Sequence, residues 1–452
     1  MSVKFIEVDR ASQYLFPPSI QDWLPEKHLA RFVVEIVEQL DLRSLKQSYT
    51  CRGSQPYHPA MLLALLFYGY ATGVFSSRKL ERSTHDSVAF RFIAANTHPD
   101  HDTISQFRKR FLPQLSTMFV QILTIAQQMG VLKLGKVSLD GTKVKANASK
   151  HKALSYGHAC KLQAQLEAEV AELLAQAEAA DQADIPDGME IPTELAIRQD
   201  RIKAIQEAKA EIERRAAQRY DKEQEEYDRK LAERAQREQE TGRKARGKQP
   251  KPPTAGPKEK DQINLTDSDS RIMPTSSGGF EQTYNAQASV DTETMLIVSN
   301  HLSQAPNDKQ ELEAALDKLA QLPAELGTVT DILADSGYFS ATNVTLCEDQ
   351  KVTPFIAVKR EGHHQPVMDR FKEPPLPPDG ADAVEIMKHR LKTKAGKAVY
   401  AKRKSTVEPV FGIIKAAMGF RQFLLRGLDA VRGEWELVCV AFNLKRLFAL
   451  AR

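Results

Sequence analysis

With 452 residues the chain exceeds one ordinary hydrophobic core, so two or three folding units are expected. An apolar content of 42% excludes a disordered protein, and a net charge of only +4 leaves any hold on a polyanion to local basic patches. Four scattered cysteines (Cys51, Cys160, Cys347, Cys439) form no C-x-x-C pair, which excludes a zinc ribbon and a disulfide framework and fits a reducing cytoplasm.

The first residues, Met1 to Arg10, lack the long apolar run of a signal peptide, so a soluble cytoplasmic protein is expected. Residues 1–130 read as all-helical, with helix signals from Pro25 to Leu40, Pro59 to Gly69 and Ser77 to Ala95. The most apolar stretch, Ala60 to Ala71, is too short to span a bilayer and reads as a buried helix, so no membrane is expected as partner. A further helix opens at Asp102-Thr103, where Thr103 and Gln106 have capping-box spacing, and carries Phe107, Arg108, Lys109, Arg110 and Phe111. The helices on either side of residues 96–101 offer Arg78, Lys79, Arg82, Arg91, Arg108, Lys109 and Arg110. That array suits either a helix-turn-helix reader of double-stranded DNA or the solvated basic face of a bundle.

Residues 133–147 read as a strand ending in Asp140, with Lys143 and Lys145 after it. From about 150 to 260 the pattern changes. Leu162, Leu166, Val170, Leu173 and Leu174 repeat at helical spacing, as do Ile202, Ile205, Ile212 and Ala216, with Lys209 interrupting the second stripe. Two antiparallel helices follow from this, an inserted α-helical hairpin or coiled coil, with a turn at Asp184 to Gly188. The polar stretch 221–241 is helix-prone, and the basic segment from Gly242 reads as a flexible linker, either solvated or touching DNA.

After residue 262 the signals become mixed α/β. Phe280–Val290 and Met295–Leu302 flank Asp291-Thr-Glu-Thr294 as a hairpin, and Lys309–Leu322 is an amphipathic helix. Thr328–Ala334 is a strand, Asn343–Gln350 a short helix and Pro354–Val358 another strand. Residues 360–385 read as loop, followed by helices near 397–418 and from Trp435 to Leu450. Without the insert this order is that of an α/β ribonuclease-H-like mixed-sheet core. The expected organisation is an all-α N-terminal domain at 1–130, a catalytic domain from 131–150 and 262–452, and the helical insert with its basic linker at 151–261.

Three acidic signatures stand out: Val137-Ser-Leu-Asp140-Gly, Ile332-Leu-Ala-Asp335-Ser-Gly and Val407-Glu408-Pro-Val-Phe-Gly-Ile-Ile-Lys415. Two strand ends and a helix that brought these carboxylates together would hold divalent cations for phosphoryl transfer. Each acid also has a plainer role open to it. Asp140 and Asp335 suit strand-end turns, and Ser405 to Glu408 is itself a capping box followed by Pro409. On one continuous helix Tyr400, Lys404, Glu408 and Lys415 share a face, beside an apolar stripe of Val407, Phe411, Ile414 and Met418.

As an ordered set, four motifs resemble the bacterial insertion-sequence transposases of the DDE class. They are the run from Leu139 to His151, Gly279-Phe-Glu-Gln-Thr-Tyr-Asn-Ala-Gln-Ala288, Ala334-Asp335-Ser-Gly-Tyr338 and the stretch from Val407 to Gly427. Tyr57 to Leu63 and Asp102 to Arg108 resemble the helical domain that precedes the core in that family. The resemblance implies a transposase in which Asp140, Asp335 and Glu408 bind Mg²⁺ or Mn²⁺ and catalyse cleavage and strand transfer. It implies DNA contact by Lys143, Lys145, Tyr400, Arg403, Lys404, Lys415 and Arg421, and an active homodimer on element ends and target DNA. Related branches carry a Tyr, Arg, Glu, Lys signature at the third acid. Here Tyr400 and Arg403 stand one position early relative to Glu408, and Lys404 holds the arginine place. The rival classes are a catalytically silent DNA-binding derivative and a plain metal-dependent nuclease.

Overall fold

The computed structural model describes residues 19–49, 55–179, 191–242, 247–275, 278–358, 373–378 and 380–451. Two units emerge, Met1–Lys145 with Tyr284–Arg452, and Ala146–Thr283.

The first unit opens with helices. They are α1 (Leu29–Gln39), α2 (Arg43–Gln47), α3 (Pro59–Thr72), α4 (Ser77–Asp86), α5 (Val88–Ile93), α6 (His101–Phe111) and α7 (Leu115–Gln128). In α3 the His58 side chain accepts from the Ala60 N–H, Pro59 fills the first turn, and Gly73 at φ 85° closes the helix in the left-handed region. Its residues from Leu62 to Ala71 are buried on every side, as an all-apolar helix requires. Two expectations change here. The helix foreseen from Ser77 to Ala95 breaks at Ser87, whose extended backbone separates α4 from α5. Helix α6 is capped by Asp100, whose carboxylate accepts from the Thr103 N–H at 2.8 Å, and not by a Thr103–Gln106 box.

The sheet follows from β1 (Leu134–Lys145), β5 (Phe280–Asp291), β6 (Ile297–Ser303), β7 (Gly327–Ala334) and β8 (Thr353–Ile356). Strand β1 lies between β5 and β7, β8 flanks β7, and β6 pairs with β5. Strands β1, β7 and β8 run parallel, with Val137 opposite Ile332 and Ile332 opposite Pro354, whereas β5 and β6 are antiparallel. Covered on both edges and faces, β1 buries Val137, Ser138 and Leu139 completely. Helices α10 (Glu311–Ala320) and α11 (Ala341–Asp349) supply the crossovers.

Three further helices complete this unit: α12 (Ala383–Lys392), α13 (Lys394–Gly412) and α14 (Leu428–Leu450). Part of the loop expected at 360–385 lies outside the described residues, and its end is the start of α12, capped by a reciprocal Asp382–Glu385 box. Helix α14 begins seven residues before the expected Trp435, buries Trp435, Phe442 and Leu444, and packs on α3, α7 and β6. Glu434 of α14 is fully buried. Its Oε1 accepts from the Tyr70 hydroxyl at 3.0 Å, and its Oε2 accepts from the Leu424 and Leu425 N–H groups. Arg108 donates to Tyr70 Oη at 3.2 Å and to the Phe75 carbonyl at 3.0 Å.

In the second unit β2 (Ala153–Ser155) pairs with β3 (Gln262–Asn264), and β4 (Arg271–Pro274) pairs with the first residues of β5, Phe280–Thr283. Helices α8 (Tyr156–Ala179) and α9 (Ile191–Thr241) run antiparallel, since Glu169 meets Arg198, Gln163 meets Lys209 and Tyr156 meets Glu213. Leu154, Ala159, Leu166, Ile205, Ala208, Ile212 and Ile263 form their core. Lys209 keeps its seam position by donating to Gln163 Oε1 at 2.9 Å. The turn expected at Asp184 to Gly188 and linker residues 243–246 lie outside the described residues. The rest of that linker turns back along α9. Arg234 donates to the Gly247 and Lys248 carbonyls, and Arg219 bonds Asp261 through two nitrogens at 2.9 and 3.0 Å.

Candidate active site

Strand β1 brings Asp140 to the end of its parallel pairing with β7. The expected turn after Asp140 is absent, because β1 continues through Gly141 to Lys145. Gly141 is there for space. A Cβ at that position would lie 2.1 Å from Gln287 Nε2 and 2.9 Å from Asp308 Oδ1. Asp335 follows the last residue of β7 and accepts the Gly337 N–H at 2.7 Å, starting a short turn at Ser336–Tyr338. Its plainer turn role and its place in the site coincide.

Helix α13 carries the third acid. It starts at Lys394 under a Thr393 cap, so Glu408 lies in its interior and the capping-box alternative at Ser405 does not hold. Pro409 denies a hydrogen bond to the carbonyl of Ser405, but Ser405 is exposed and water can serve it. Beyond Gly412 the helix widens into a π turn, Ile413–Ala417, which holds Lys415.

Strand β1 and helix α13 meet at one guanidinium. Arg403 Nη1 lies 3.1 Å from Asp140 Oδ2 and Nη2 lies 3.4 Å from Glu408 Oε1. The Arg403 and Asp140 side chains are 12% and 19% exposed, against 49% for Glu408. Burial pushes the Asp140 carboxyl up to about 6; Arg403 opposes the shift, and the charges of Asp335 and Asp308 add to it. Tyr400 is also raised by burial, with the nearby charge of Arg403 pulling the other way. Lys404, one residue on, is exposed.

The basic residues divide into separate roles. Lys143 is largely buried, with its ammonium 3.7 Å from Asp308 Oδ1, and desolvation lowers its pKa. Lys415 bonds Thr142 Oγ1 and, at 3.1 Å, the Lys143 carbonyl, which fastens α13 to β1. Arg421 is exposed, donates to the Lys415 carbonyl at 3.0 Å and accepts at its own carbonyl the N–H of Lys145, itself exposed. On α6, Lys109 and Arg110 are exposed, and Arg110 stacks over Tyr49. Arg108 corrects the expected DNA-facing set: at 7% exposure it is a core residue bound to Tyr70, too deep for a phosphate.

Four neighbours escaped sequence reading. Asp308, in the loop before α10, accepts from Asn285 Nδ2 at 2.7 Å and Gln287 Nε2 at 2.8 Å, and the Tyr338 hydroxyl donates to Gln287 Oε1. The second quoted motif supplied the signal for Asn285 and Gln287, but nothing local marked Asp308.

The donor chemistry suits a hard divalent cation, with carboxylate oxygens of one charge sign gathered in a half-buried setting. Among the described residues no three His, Cys, Asp or Glu side chains enclose an ion by themselves.

Two family models match the chain. Residues 18–110 match a transposase domain (DUF772), and residues 256–444 match a transposase DDE domain. No curated protein and no solved structure matches the chain. The helical N-terminal match is followed by the DDE match that contains Asp335 and Glu408, and the chain belongs to the insertion-sequence transposases of the DDE class.

Proposed function

We propose that this transposase cuts DNA at the ends of its own insertion sequence and joins the freed 3′-OH to target DNA, with Asp140, Asp335 and Glu408 as ligands of divalent cations. One observation carries the reading. A central strand and an interior helix position set two carboxylates against a single guanidinium, and the charge of Asp335, at the end of the parallel neighbour, acts on both Asp140 and Arg403. The strand order β6-β5-β1-β7-β8, with parallel strands on one side of β1 and the antiparallel pair on the other, supports a ribonuclease-H-like core.

Mg²⁺ or Mn²⁺ bound there would activate an attacking oxygen and stabilise a leaving one during in-line displacement. Asp140 and Asp335 are the principal ligands, and Glu408 completes the second site. Arg403 balances the acids before cations enter. Lys145, Lys404 and Arg421, all exposed, hold the DNA backbone, with Lys109 and Arg110 contributing from α6. Tyr400 orients Arg403, while Lys143 and Lys415 set the charge and position of β1. On this reading the helical domain at 1–130 positions DNA, the core at 131–150 and 262–452 does the chemistry, and the insert at 151–261 serves packing or self-association. Two ends must be joined, so the working form is a homodimer acting on chromosomal DNA in the cytoplasm.

Asp140→Ala is expected to abolish Mg²⁺-dependent nicking of end sequences while leaving their affinity within a fewfold. Nicking that survives the substitution removes the proposal. A pre-cleaved end mixed with target DNA should give joined product, which a plain nuclease would not make. Gel-shift without any nicking would favour the silent derivative.

A further inference from the structure

Asp308 lies outside the three acidic signatures, yet the fold aims it at them. It does not cap α10, whose preceding residue Gln310 makes no side-chain cap and whose Glu311 N–H bonds only the Asp308 backbone carbonyl. Every hydrogen bond its carboxylate accepts among the described residues falls on Oδ1, from the Asn285 and Gln287 amides, with the Lys143 ammonium 3.7 Å from the same atom. The Tyr338 hydroxyl fixes the Gln287 amide by donating to its oxygen, so its nitrogen must face Asp308. Tyr338 and Gln287 are fully buried, which holds this chain of donors rigid.

The other oxygen lies near Gly337, whose N–H Asp335 accepts. A Cβ at Gly337 would lie 3.7 Å from Asp308 Oδ2 and 2.9 Å from Asp335 Oδ1, so both oxygens border the same glycine. Two amides clamping one oxygen while its twin faces another carboxylate is the way supporting hydrogen bonds orient a metal ligand. A salt bridge to Lys143 alone would need neither amide.

We propose that Asp308 is a fourth carboxylate ligand of the cation site, presenting Oδ2 beside Asp335 and held in place by Asn285 and Gln287. The inference rests on the DDE reading above and extends it to a residue outside the triad.

The test measures cation binding by the full-length protein without DNA. Mn²⁺ titrations followed by electron paramagnetic resonance compare wild type, Asp140→Asn and Asp308→Asn, with circular dichroism checking the fold. Asp308→Asn keeps the shape of the side chain and should weaken Mn²⁺ binding about tenfold or more. A third variant, Asp308→Cys, should lose Mn²⁺ yet bind Cd²⁺ with a thiolate-to-cadmium charge-transfer band above whatever the native cysteines give in wild type and Asp308→Asn. A residue that only braced the loop would give no such band. Wild-type Mn²⁺ affinity in Asp308→Asn overturns the inference, as does a folded Asp308→Cys protein without the band; if the cysteine variant fails to fold, the asparagine titration decides. Loss of Mn²⁺ in Asp140→Asn alone would spare the DDE reading and sink only this extension. Unchanged binding in both asparagine variants would sink the DDE reading with it.

Discussion

Arg108→Ala tests whether the arginine in α6 belongs to the core or to a DNA surface. In the folded chain its guanidinium donates to Tyr70 and to the Phe75 carbonyl, and its charge opposes the burial that raises the Glu434 pKa. Truncation removes two charge-assisted bonds and leaves Glu434 with Tyr70 and two backbone N–H groups but no countercharge. Breaking a buried pair from one side costs about 3–5 kcal/mol, and proton uptake by Glu434 should keep the loss near the lower figure. With Arg108 gone the folded-state pKa of Glu434 rises further above its unfolded value. The fold then gains from protonation at low pH and loses as pH climbs through that raised pKa, so the defect should be smaller at pH 5 than at pH 8. A chain with two units need not unfold in one step, so the assay is native-state hydrogen exchange in α3 and α14, the helices that the triad joins. About 3 kcal/mol corresponds to exchange roughly a hundredfold faster at pH 8. Lys109→Ala, exposed on the same helix, is the control and should change little. Exchange unchanged in Arg108→Ala, together with weakened DNA binding, would refute the core assignment.

Glu436, at the edge of a cavity with Lys318, is pushed up to about 7 by burial, with Lys318 pulling it down. Its ionisation therefore costs the fold stability as pH rises from the usual glutamate range toward 7. Glu436→Gln should stabilise the protein by about 2–3 kcal/mol at pH 8 and have little effect at pH 4; thermal melts showing equal shifts at both pH values would contradict the burial argument. Gly141→Ala puts a methyl against Gln287 Nε2, which Tyr338 and Asp308 hold in place. A loss of about 1–3 kcal/mol and weaker Mn²⁺ binding are expected, and a wild-type melt with wild-type binding would show that the strand has room there.

What could be read from the sequence follows from how local each signal is. The hairpin at Asp291, the strand before Asp335 and the apolar stripes of α8 and α9 were legible because period and turn chemistry lie within a dozen residues. Gly141 misled for a physical reason. Glycine marks turns, but it also marks places where another chain segment comes close, and only the arrival of Gln287 and Asp308 separates the two. Helix α12 could have been found, since Asp382 and Glu385 form a reciprocal box in plain sequence, but nearby proline and glycine weighed against it. Arg108 looked like its neighbours Lys109 and Arg110, and its burial depends on Glu434 more than three hundred residues away. Asp308 had no motif because its partners Asn285, Gln287 and Lys143 come from two other strands.

The displaced signature around Glu408 shows why spacing alone left the roles of Arg403 and Lys404 open. Helical rotation of roughly 100° per residue sets directions relative to the buried stripe of Val407, Val410, Phe411 and Ile414. Tyr400 and Arg403 fall within roughly 30° of the centre of that stripe, Lys404 about 70° away and Glu408 about 110° away. The burial agrees, with Arg403 drawn inward to Asp140 while Lys404 and Glu408 are both exposed. Arg403 still reaches Glu408 because its side chain spans the gap that the offset creates. The residue one place early is thus the one that the docking face turns toward the acids. Lys404, standing where the family arginine is expected, is left on the solvent side, where the proposed function puts the DNA backbone. The apolar residues that fasten a helix to its sheet therefore decide which of two adjacent cations meets Asp140, and that choice was already present in the pattern of Val407, Val410, Phe411 and Ile414.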